Sequence, residues 1–314
     1  MKKVCIDLSP RAIGDSLCVT PLLRKLNHFY SQKISILTHH IELFQNNPYV
    51  DSIYQYGSID IETLKQEYDV FNTFDIGYKA NGVCNKHNMI DIRQIHAISL
   101  GFMLSKDEMQ LDFHPDDYID IPNLPKKYVL IHPVKNWNSR TWDADKWISL
   151  TKMLNDSGIA VVSVGKDSSE IGSANTQKPV FNFEIELGLN LMNKTSLSQT
   201  WWLIQNSLCF ITMDSGLLHL AGTTDSEIIQ LGSSINPEFR SPYRKGSQEY
   251  KYNYIRGGCG LHCASDAKYG VREWKSIQGI PALVNCLERK EKFECHPSIS
   301  DVYNKVIDLS CDYN

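Results

Sequence analysis

The stretch ITMDSGLLHLA, residues 211–221, joins an apolar strand directly to a helix through the turn Asp-Ser-Gly. A strand that passes straight into a helix is the unit from which layered α/β folds are built. The unpaired N–H groups at the helix start, with Gly216 allowing close approach, predict an anion site. His219 lies four residues after Ser215, on the same helix face. Taken alone, the stretch is more typical of a helix capped by Asp and Ser that carries a buried histidine.

Strands and helices alternate on both sides of this stretch. Downstream of residue 127, the pattern predicts strands at 128–132, 160–164, 208–212 and 227–231, and helices at 144–157, 198–206 and 215–223. Upstream it predicts strands at 3–8 and 33–38, a helix from about residue 16, weaker strands at 50–56, 68–74 and 111–113, and a helix at 91–100. The alternation predicts an α/β protein with two Rossmann-like parallel sheets whose carboxyl ends face each other across a crevice.

The chain divides into two α/β series with an irregular tail. We expect one domain over residues 1–115, a linker rich in Pro and Asp over 116–127, and a second domain over 128–245. Residues 246–297 carry several cysteines and little periodicity, and a closing helix is expected within 298–314.

Composition and charge narrow the class of protein. The 314 residues are 42% hydrophobic and 22% charged, which is typical of a soluble globular chain. Thirty-two Lys and Arg against 36 Asp and Glu give a net charge of −4, and no basic cluster appears, which argues against a nucleic-acid partner. No apolar run reaches the roughly 18 residues of a membrane span, and Asp7 interrupts the first one. We therefore expect a cytoplasmic protein without a transmembrane segment, for which peripheral membrane contact stays open.

A second motif follows the first strand. In AIGDSLCVTP, residues 12–21, Gly14 and Asp15 stand at the strand-to-helix turn. A carboxylate at that turn would face the crevice, where it could act as a general base on an acceptor hydroxyl. The alternative is a helix N-cap, since Asp is common near helix starts for reasons of the helix dipole.

A third motif follows the first strand of the second series. The stretch IHPVKNWNSRTWDADKW, residues 131–147, places Lys135 and Arg140 on a loop at the crevice. Two cations there would suit a diphosphate whose charge grows as it leaves. The alternative is a solvated loop whose tryptophans pack against the next helix.

The order and spacing of the three motifs resemble glycosyltransferase family 9, the ADP-heptose-dependent heptosyltransferases. The resemblance covers roughly residues 1–245 and includes NPYVD at 47–51, VSVGKD at 162–167, NKTSL at 193–197 and LGSSINP at 231–237. It implies a GT-B fold, with an N-terminal acceptor domain and a C-terminal nucleotide-sugar donor domain. It also implies inverting transfer of a sugar, heptose above all, from an ADP-heptose-like donor to a hydroxyl on a glycan, lipopolysaccharide or protein, without a catalytic metal.

The resemblance also assigns residues. Asp15 matches the catalytic base, and Arg140 stands where members place a cation on the donor diphosphate. Donor phosphate and sugar contacts are matched by Asp214, Ser215, Gly216 and His219. One position departs from the pattern, because Asn190 stands where some members carry an acid for the donor ribose. A non-catalytic nucleotide-sugar-binding or regulatory module, or a different enzyme on the same fold, such as an epimerase or a retaining transferase, remain the alternatives.

The cysteines of the tail suggest a metal. Four of them form two pairs that could bind a structural Zn or Fe ion: Cys259, Cys263, Cys286 and Cys295. His262 and His296 adjoin them as substitute ligands. The segment looks like the cysteine finger of certain family members, including heptosyltransferases with an iron finger. Free thiols and a disulfide are the alternatives.

Overall fold

The computed structural model describes residues 2–74, 90–117, 119–133, 138–166, 188–244, 246–263, 286 and 293–311. Within them the chain forms two all-parallel sheets, each with helices packed against it, as the alternation predicts. Parallel strands need both faces covered, which explains why β-strands such as Val4–Asp7 and Tyr128–Ile131 are buried at every residue. The prediction of an α/β protein with two parallel sheets is confirmed.

The N-terminal sheet has four strands in the order β3-β2-β1-β4. Its strands are β1 (Val4–Asp7), β2 (Ile34–Thr38), β3 (Val50–Gln55) and β4 (Val70–Thr73). Its helices are α1 (Ile13–Leu17), α2 (Thr20–Tyr30), α3 (Ile61–Glu67) and α4 (Ile92–Ser99). The first helix is therefore interrupted near Cys18, where Pro21 opens α2, and does not run on from residue 16 as a single element.

The C-terminal sheet has six strands in the order β10-β9-β8-β5-β6-β7. Its strands are β5 (Tyr128–Ile131), β6 (Ala160–Ser163), β7 (Leu189–Asn190), β8 (Phe210–Thr212), β9 (Ile228–Leu231) and β10 (Tyr252–Ile255). Its helices are α5 (Ala144–Asp156), α6 (Leu197–Gln205) and α7 (Gly216–Ala221). A last helix, α8 (Ile299–Cys311), packs against α5 through Val302 and Val306, so the closing helix belongs to this sheet.

Two local predictions are wrong. Residues 111–113 form no strand: Leu111 and Phe113 are buried, but between them Asp112 accepts two hydrogen bonds from Arg24 in an irregular chain. The tail contributes β10, which pairs with β9, although residues 246–297 show no strand pattern in the sequence. In both cases a neighbouring element decides the conformation, which local periodicity does not reveal.

The two sheets share one continuous apolar core. The same cluster of buried side chains includes Leu17 and Leu22 on the N-terminal side and Phe210 and Leu218 on the C-terminal side. Residues 119–127 run between the sheets without helix or strand. Among the described residues, no helix has both the length and the apolar character that crossing a bilayer requires.

Candidate active site

The first and second motifs touch each other. A Cβ added at Gly14 would lie 2.8 Å from the Cα atom of Gly216 and 3.1 Å from Cδ2 of His219. A Cβ added at Gly216 would lie 2.6 Å from Cγ2 of Ile13. Helix α1 therefore packs against α7 with main chain close to main chain, and glycine is required on both sides. The contact, here called the seam, brings residues some 200 positions apart in the sequence into one site.

Ser215 caps α7 from within a small polar network. Its Oγ atom accepts from the N–H of Leu218 at 3.4 Å and lies 3.1 Å from Oγ1 of Thr212. The same hydroxyl lies 3.2 Å from Nδ1 of His132, which follows β5. Burial lowers the pKa of His132 to about 3, so its ring is neutral at neutral pH. The network fixes the stretch 211–221, here called the donor motif after its expected role, on two neighbouring strand ends, β5 and β8.

Arg140 reaches the donor motif directly. Its Nε atom donates to the main-chain carbonyl of Asp214 at 2.9 Å and lies 3.5 Å from Oδ2 of the same residue. Asp214 is almost wholly buried, and its Oδ2 accepts no hydrogen bond from the residues that the structure describes. The structure thus brings Arg140 together with the Asp-Ser-Gly turn, whereas Lys135 lies outside the described residues.

Asp15 lies among charges from both halves of the molecule. Loss of hydration raises the pKa of its carboxyl, and the negative charge of Asp214 adds to that rise. Three guanidinium groups oppose it, in order of effect Arg11, Arg240 and Arg140. A carboxyl whose pKa is raised is a stronger base than an exposed aspartate, and general-base work needs that property.

His219 and His96 line the same region as neutral side chains. Burial lowers the pKa of His219 to about 4, and its Nδ1 atom finds no hydrogen-bond partner among the described residues. His96, on α4, packs against Phe74 and has a hydrogen bond to the main chain of Asp15. Burial lowers the pKa of His96 to about 3. His219 was expected at this site, whereas nothing in the pattern around His96 marks it.

The sequence motifs do not indicate Arg240 and Arg11 as site residues. Arg240 follows the short helical turn Pro237–Phe239, in a stretch without periodicity, and is only 6% exposed. Arg11 stands in the turn before α1, where its Nε donates to the carbonyl of Phe74 at 2.6 Å. Arg240 stands three residues beyond the resembling stretch LGSSINP, and that position was a weak signal, since charged side chains in loops usually face solvent.

The cysteines of the tail are brought together in part. The N–H of Cys259 donates to the carbonyl of Glu294 at 3.2 Å, and the N–H of Gly257 donates to that of Cys295 at 2.9 Å. Burial raises the pKa of Cys295 to about 12, with the charges of Cys263 and Cys259 adding to the rise. Three of the four cysteines therefore share one neighbourhood.

A complete ligand set is absent from the described part of the chain. No group of three or more His, Cys, Asp and Glu there lies close enough to hold a metal. The expected substitute ligands have other partners: Nε2 of His296 lies 3.0 Å from the carbonyl of Ser139, and Nε2 of His262 lies 2.9 Å from a guanidinium nitrogen of Arg256.

Solved structures show the same fold over this chain. The iron-containing dodecameric glycosyltransferase TibC from enterotoxigenic E. coli H10407 matches 100% of this chain and 77% of its own, with 16% identity and a TM-score of 0.71. ADP-heptose lipopolysaccharide heptosyltransferase II from E. coli matches 90% of this chain and 98% of its own, with 18% identity and a TM-score of 0.58. The predicted GT-B fold is thereby confirmed.

Two curated relatives match at the level of sequence. Lipopolysaccharide heptosyltransferase 2 of Salmonella typhimurium is 26% identical over 165 residues, 52% of this chain and 44% of the relative. Lipooligosaccharide heptosyltransferase 2 of Haemophilus influenzae is 28% identical over 104 residues, 33% of this chain and 30% of the relative. The matched segments thus span less than half the length of either relative.

The family model for glycosyltransferase family 9 (heptosyltransferase) matches residues 88–255, which is more than half of the chain and includes the donor motif, Arg140 and Arg240. The chain belongs to glycosyltransferase family 9.

Proposed function

We propose that this protein is an inverting glycosyltransferase that moves a heptose from an ADP-heptose-like donor to a hydroxyl of a glycan, lipopolysaccharide or protein acceptor. The observation that carries the proposal is the seam, where Gly14 of α1, the neighbour of Asp15, packs against Gly216 and His219 of α7. A base from one half and a donor motif from the other lie next to each other there, and direct displacement requires that arrangement.

In the proposed reaction Asp15 takes the proton of the acceptor hydroxyl. The acceptor oxygen attacks the anomeric carbon from the face opposite the diphosphate, so its bond forms as the bond from the anomeric carbon to the phosphate oxygen breaks. The nucleoside diphosphate leaves with the electron pair of that bond, and the configuration inverts. Arg140 would offset the charge that grows on the diphosphate, with Lys135, Ser215, Gly216 and His219 completing the donor site.

The identity of the donor is supported by relatives. A solved structure contains the heptosyltransferase TibC in complex with ADP-D-β-D-heptose, and TibC shares the fold at a TM-score of 0.72. The sequence supports binding of the donor phosphates more strongly than recognition of a particular nucleotide. Asn190, which replaces the acid of some members, accepts a hydrogen bond from the N–H of Met192 at 2.9 Å, so its amide oxygen closes a local turn.

We also propose a structural Zn or Fe ion in the tail, held by Cys259, Cys263 and Cys295 with Cys286 as the fourth ligand. The support is that main-chain hydrogen bonds join the segments of Cys259 and Cys295. Burial, and after it the charges of Cys263 and Cys259, raise the pKa of Cys295, and a bound cation would offset both effects. Such an ion would cross-link the tail, and the transfer reaction proposed above uses none of its chemistry.

Release of free nucleoside diphosphate from a panel of nucleotide sugars tests the activity. We expect release from ADP-heptose to exceed release from UDP- and GDP-sugars, and to rise when a heptose-accepting glycan is added. Asp15→Asn serves as the matched control. Binding of ADP-heptose without turnover on any acceptor would favour the non-catalytic module instead.

A further inference from the structure

Two hydrogen bonds join the tail to the turn that carries Arg140. Nε2 of His296 lies 3.0 Å from the main-chain carbonyl oxygen of Ser139, the residue before Arg140. Because a carbonyl oxygen only accepts, Nε2 carries the proton and donates it in this bond. The indole N–H of Trp142, two residues after Arg140, donates to the carbonyl of Pro297 at 3.1 Å. These two bonds, here called the tail contacts, lie on either side of Arg140 along the chain.

The tail contacts are shielded from water. Ser139 is 1% exposed, Trp142 is fully buried, and His296 is 6% exposed. The ring of His296 also stacks on that of Phe293, with centroids 5.1 Å apart and ring planes at 26°. A main-chain carbonyl in such a place has lost its hydration, so removal of its donor would leave it unsatisfied at a cost in free energy.

Close packing fixes the main chain of the tail around Cys295. A Cβ added at Gly257 would lie 2.2 Å from the carbonyl oxygen of Glu294 and 2.4 Å from that of His296. A Cβ added at Gly232 would lie 2.6 Å from the carbonyl oxygen of Cys295. The two glycines follow β10 and β9, so the tail rests directly on the ends of two strands. His296 therefore reaches the turn from a backbone that is itself held in place.

Apolar packing anchors the tail on the other side of Pro297. Helix α8 begins two residues later and buries Val302 and Val306 in the same cluster as Trp142 and Trp147. The indole of Trp142 thus belongs both to this cluster and to the tail contacts. The segment between Gly257 and α8 is consequently held at both ends.

The turn Asn138–Arg140 depends on contacts from outside. It is a single turn of 3₁₀ helix, in which hydrogen-bond geometry is poorer than in an α-helix. The hydroxyl of Ser234 donates to that of Ser139 at 2.9 Å, and Nε of Arg140 donates to the carbonyl of Asp214 at 2.9 Å. The Ser139 carbonyl and the Arg140 N–H belong to one planar peptide unit. A donor that fixes this carbonyl therefore fixes the plane from which Arg140 extends.

We propose that His296 is a positioning residue of the donor site, which holds the Ser139–Arg140 peptide so that the guanidinium of Arg140 faces the donor diphosphate. The proposal rests on the proposed role of Arg140. It gives the tail a part in donor binding, although residues 293–297 lie beyond the family match to residues 88–255. It also gives His296 a role other than the metal ligation that the sequence suggests.

Calorimetry with ADP on the full chain tests the proposal. His296→Phe keeps a ring that can stack on Phe293 but removes the N–H. We expect ADP binding to weaken roughly 2- to 10-fold, the effect of one lost hydrogen bond. In an Arg140→Gln background the same substitution should weaken it clearly less, because both changes act through one guanidinium. His296→Gln, which keeps a side-chain N–H, should restore part of the affinity.

The matched control is Ser298→Ala, two residues from His296. The Ser298 hydroxyl donates to Oδ2 of Asp301 at 2.6 Å and accepts from its N–H at 3.1 Å, so it stabilises the start of α8. We expect this variant to lower Tm and to bind ADP as the wild type does. An equal loss of ADP affinity in Ser298→Ala and His296→Phe would overturn the proposal, and so would additive effects of His296→Phe and Arg140→Gln.

The kinetics of transfer give a readout that a loss of stability alone would not move. In His296→Phe the KM for the donor should rise while the KM for the acceptor stays unchanged, because the displaced group faces the donor. If His296→Phe does not fold, Trp142→Phe removes the other tail contact and carries the same expectations. Absence of ADP binding by the wild-type protein would overturn the proposed function. Binding by the wild type without the expected coupling to Arg140 would overturn this proposal alone.

Discussion

The seam between α1 and α7 and the loop around Cys259 both join segments that are distant in the sequence, but they are held differently. At the seam, Gly14 and Gly216 leave no room for a side chain on either side. In the loop, a Cβ added at Gly257 would lie 2.2 Å from the carbonyl oxygen of Glu294, but beyond it Cβ atoms added at Gly258 and Gly260 would meet nothing within 4 Å. Arg256 donates hydrogen bonds to main-chain carbonyls of that open part. Close packing between rigid elements holds functional side chains in place, whereas an open loop needs a cross-link to hold its side chains.

The largest expected effect comes from the substitution Asp15→Asn, at the seam. We expect turnover to fall by about 10²–10⁴-fold while donor affinity stays unchanged, because the amide cannot accept the proton of the acceptor. Since its surroundings raise the pKa of Asp15, the charged carboxylate lowers stability above that pKa, so the variant should keep or increase Tm at pH 7. Turnover equal to wild type at saturating substrates would remove Asp15 from the mechanism.

Arg140→Gln tests the donor side of the seam. Loss of a charge-assisted hydrogen bond, worth about 1.5–3 kcal/mol, should weaken ADP binding roughly 10- to 100-fold in calorimetry. Lys146→Gln is the matched control, because Lys146 lies nearby on α5 but pairs with Asp143 at 3.7 Å. Equal ADP affinity in both variants would contradict the placement of the diphosphate at Arg140.

Glycine replacements compare the packing of the two regions directly. Gly14→Ala should lower the free energy of unfolding by about 1–3 kcal/mol, because its Cβ would meet main-chain atoms that cannot move aside. Gly260→Ala, in the cysteine loop, should change it little, since its Cβ would lie in open space. Urea unfolding of the two variants measures the difference, and equal stabilities would show that the seam is not closely packed.

The smallest expected effect comes from the metal. Protein purified without added metal should contain about one Zn or Fe per chain by elemental analysis. Cys259→Ser should lose that metal and lower Tm by a few degrees, at about 2–4 °C per kcal/mol for a chain somewhat smaller than this one. The control is Cys311→Ser, an exposed position on α8. If the wild-type protein contains no metal and has the same Tm as Cys259→Ser, the cross-link is excluded, and the transferase proposal is unaffected.

The sequence by itself determined the elements and the order of the motifs. Strand periodicity and the turn at Asp214–Gly216 are local properties, so the alternation around residues 128–231 predicted most strands of the C-terminal sheet. Asp15, Arg140 and the donor motif could be chosen because each follows a buried strand, and the ends of parallel strands meet at one edge.

Only the tertiary structure decided which charges face each other. Arg240 lies in an aperiodic stretch, yet its side chain is buried, and the segment beside it contacts Arg93 and Gly222. His96 and β10 likewise owe their positions to partners more than twenty residues away. Burial and Coulomb interactions depend on distance in space, and a residue pattern along the chain records only distance in sequence.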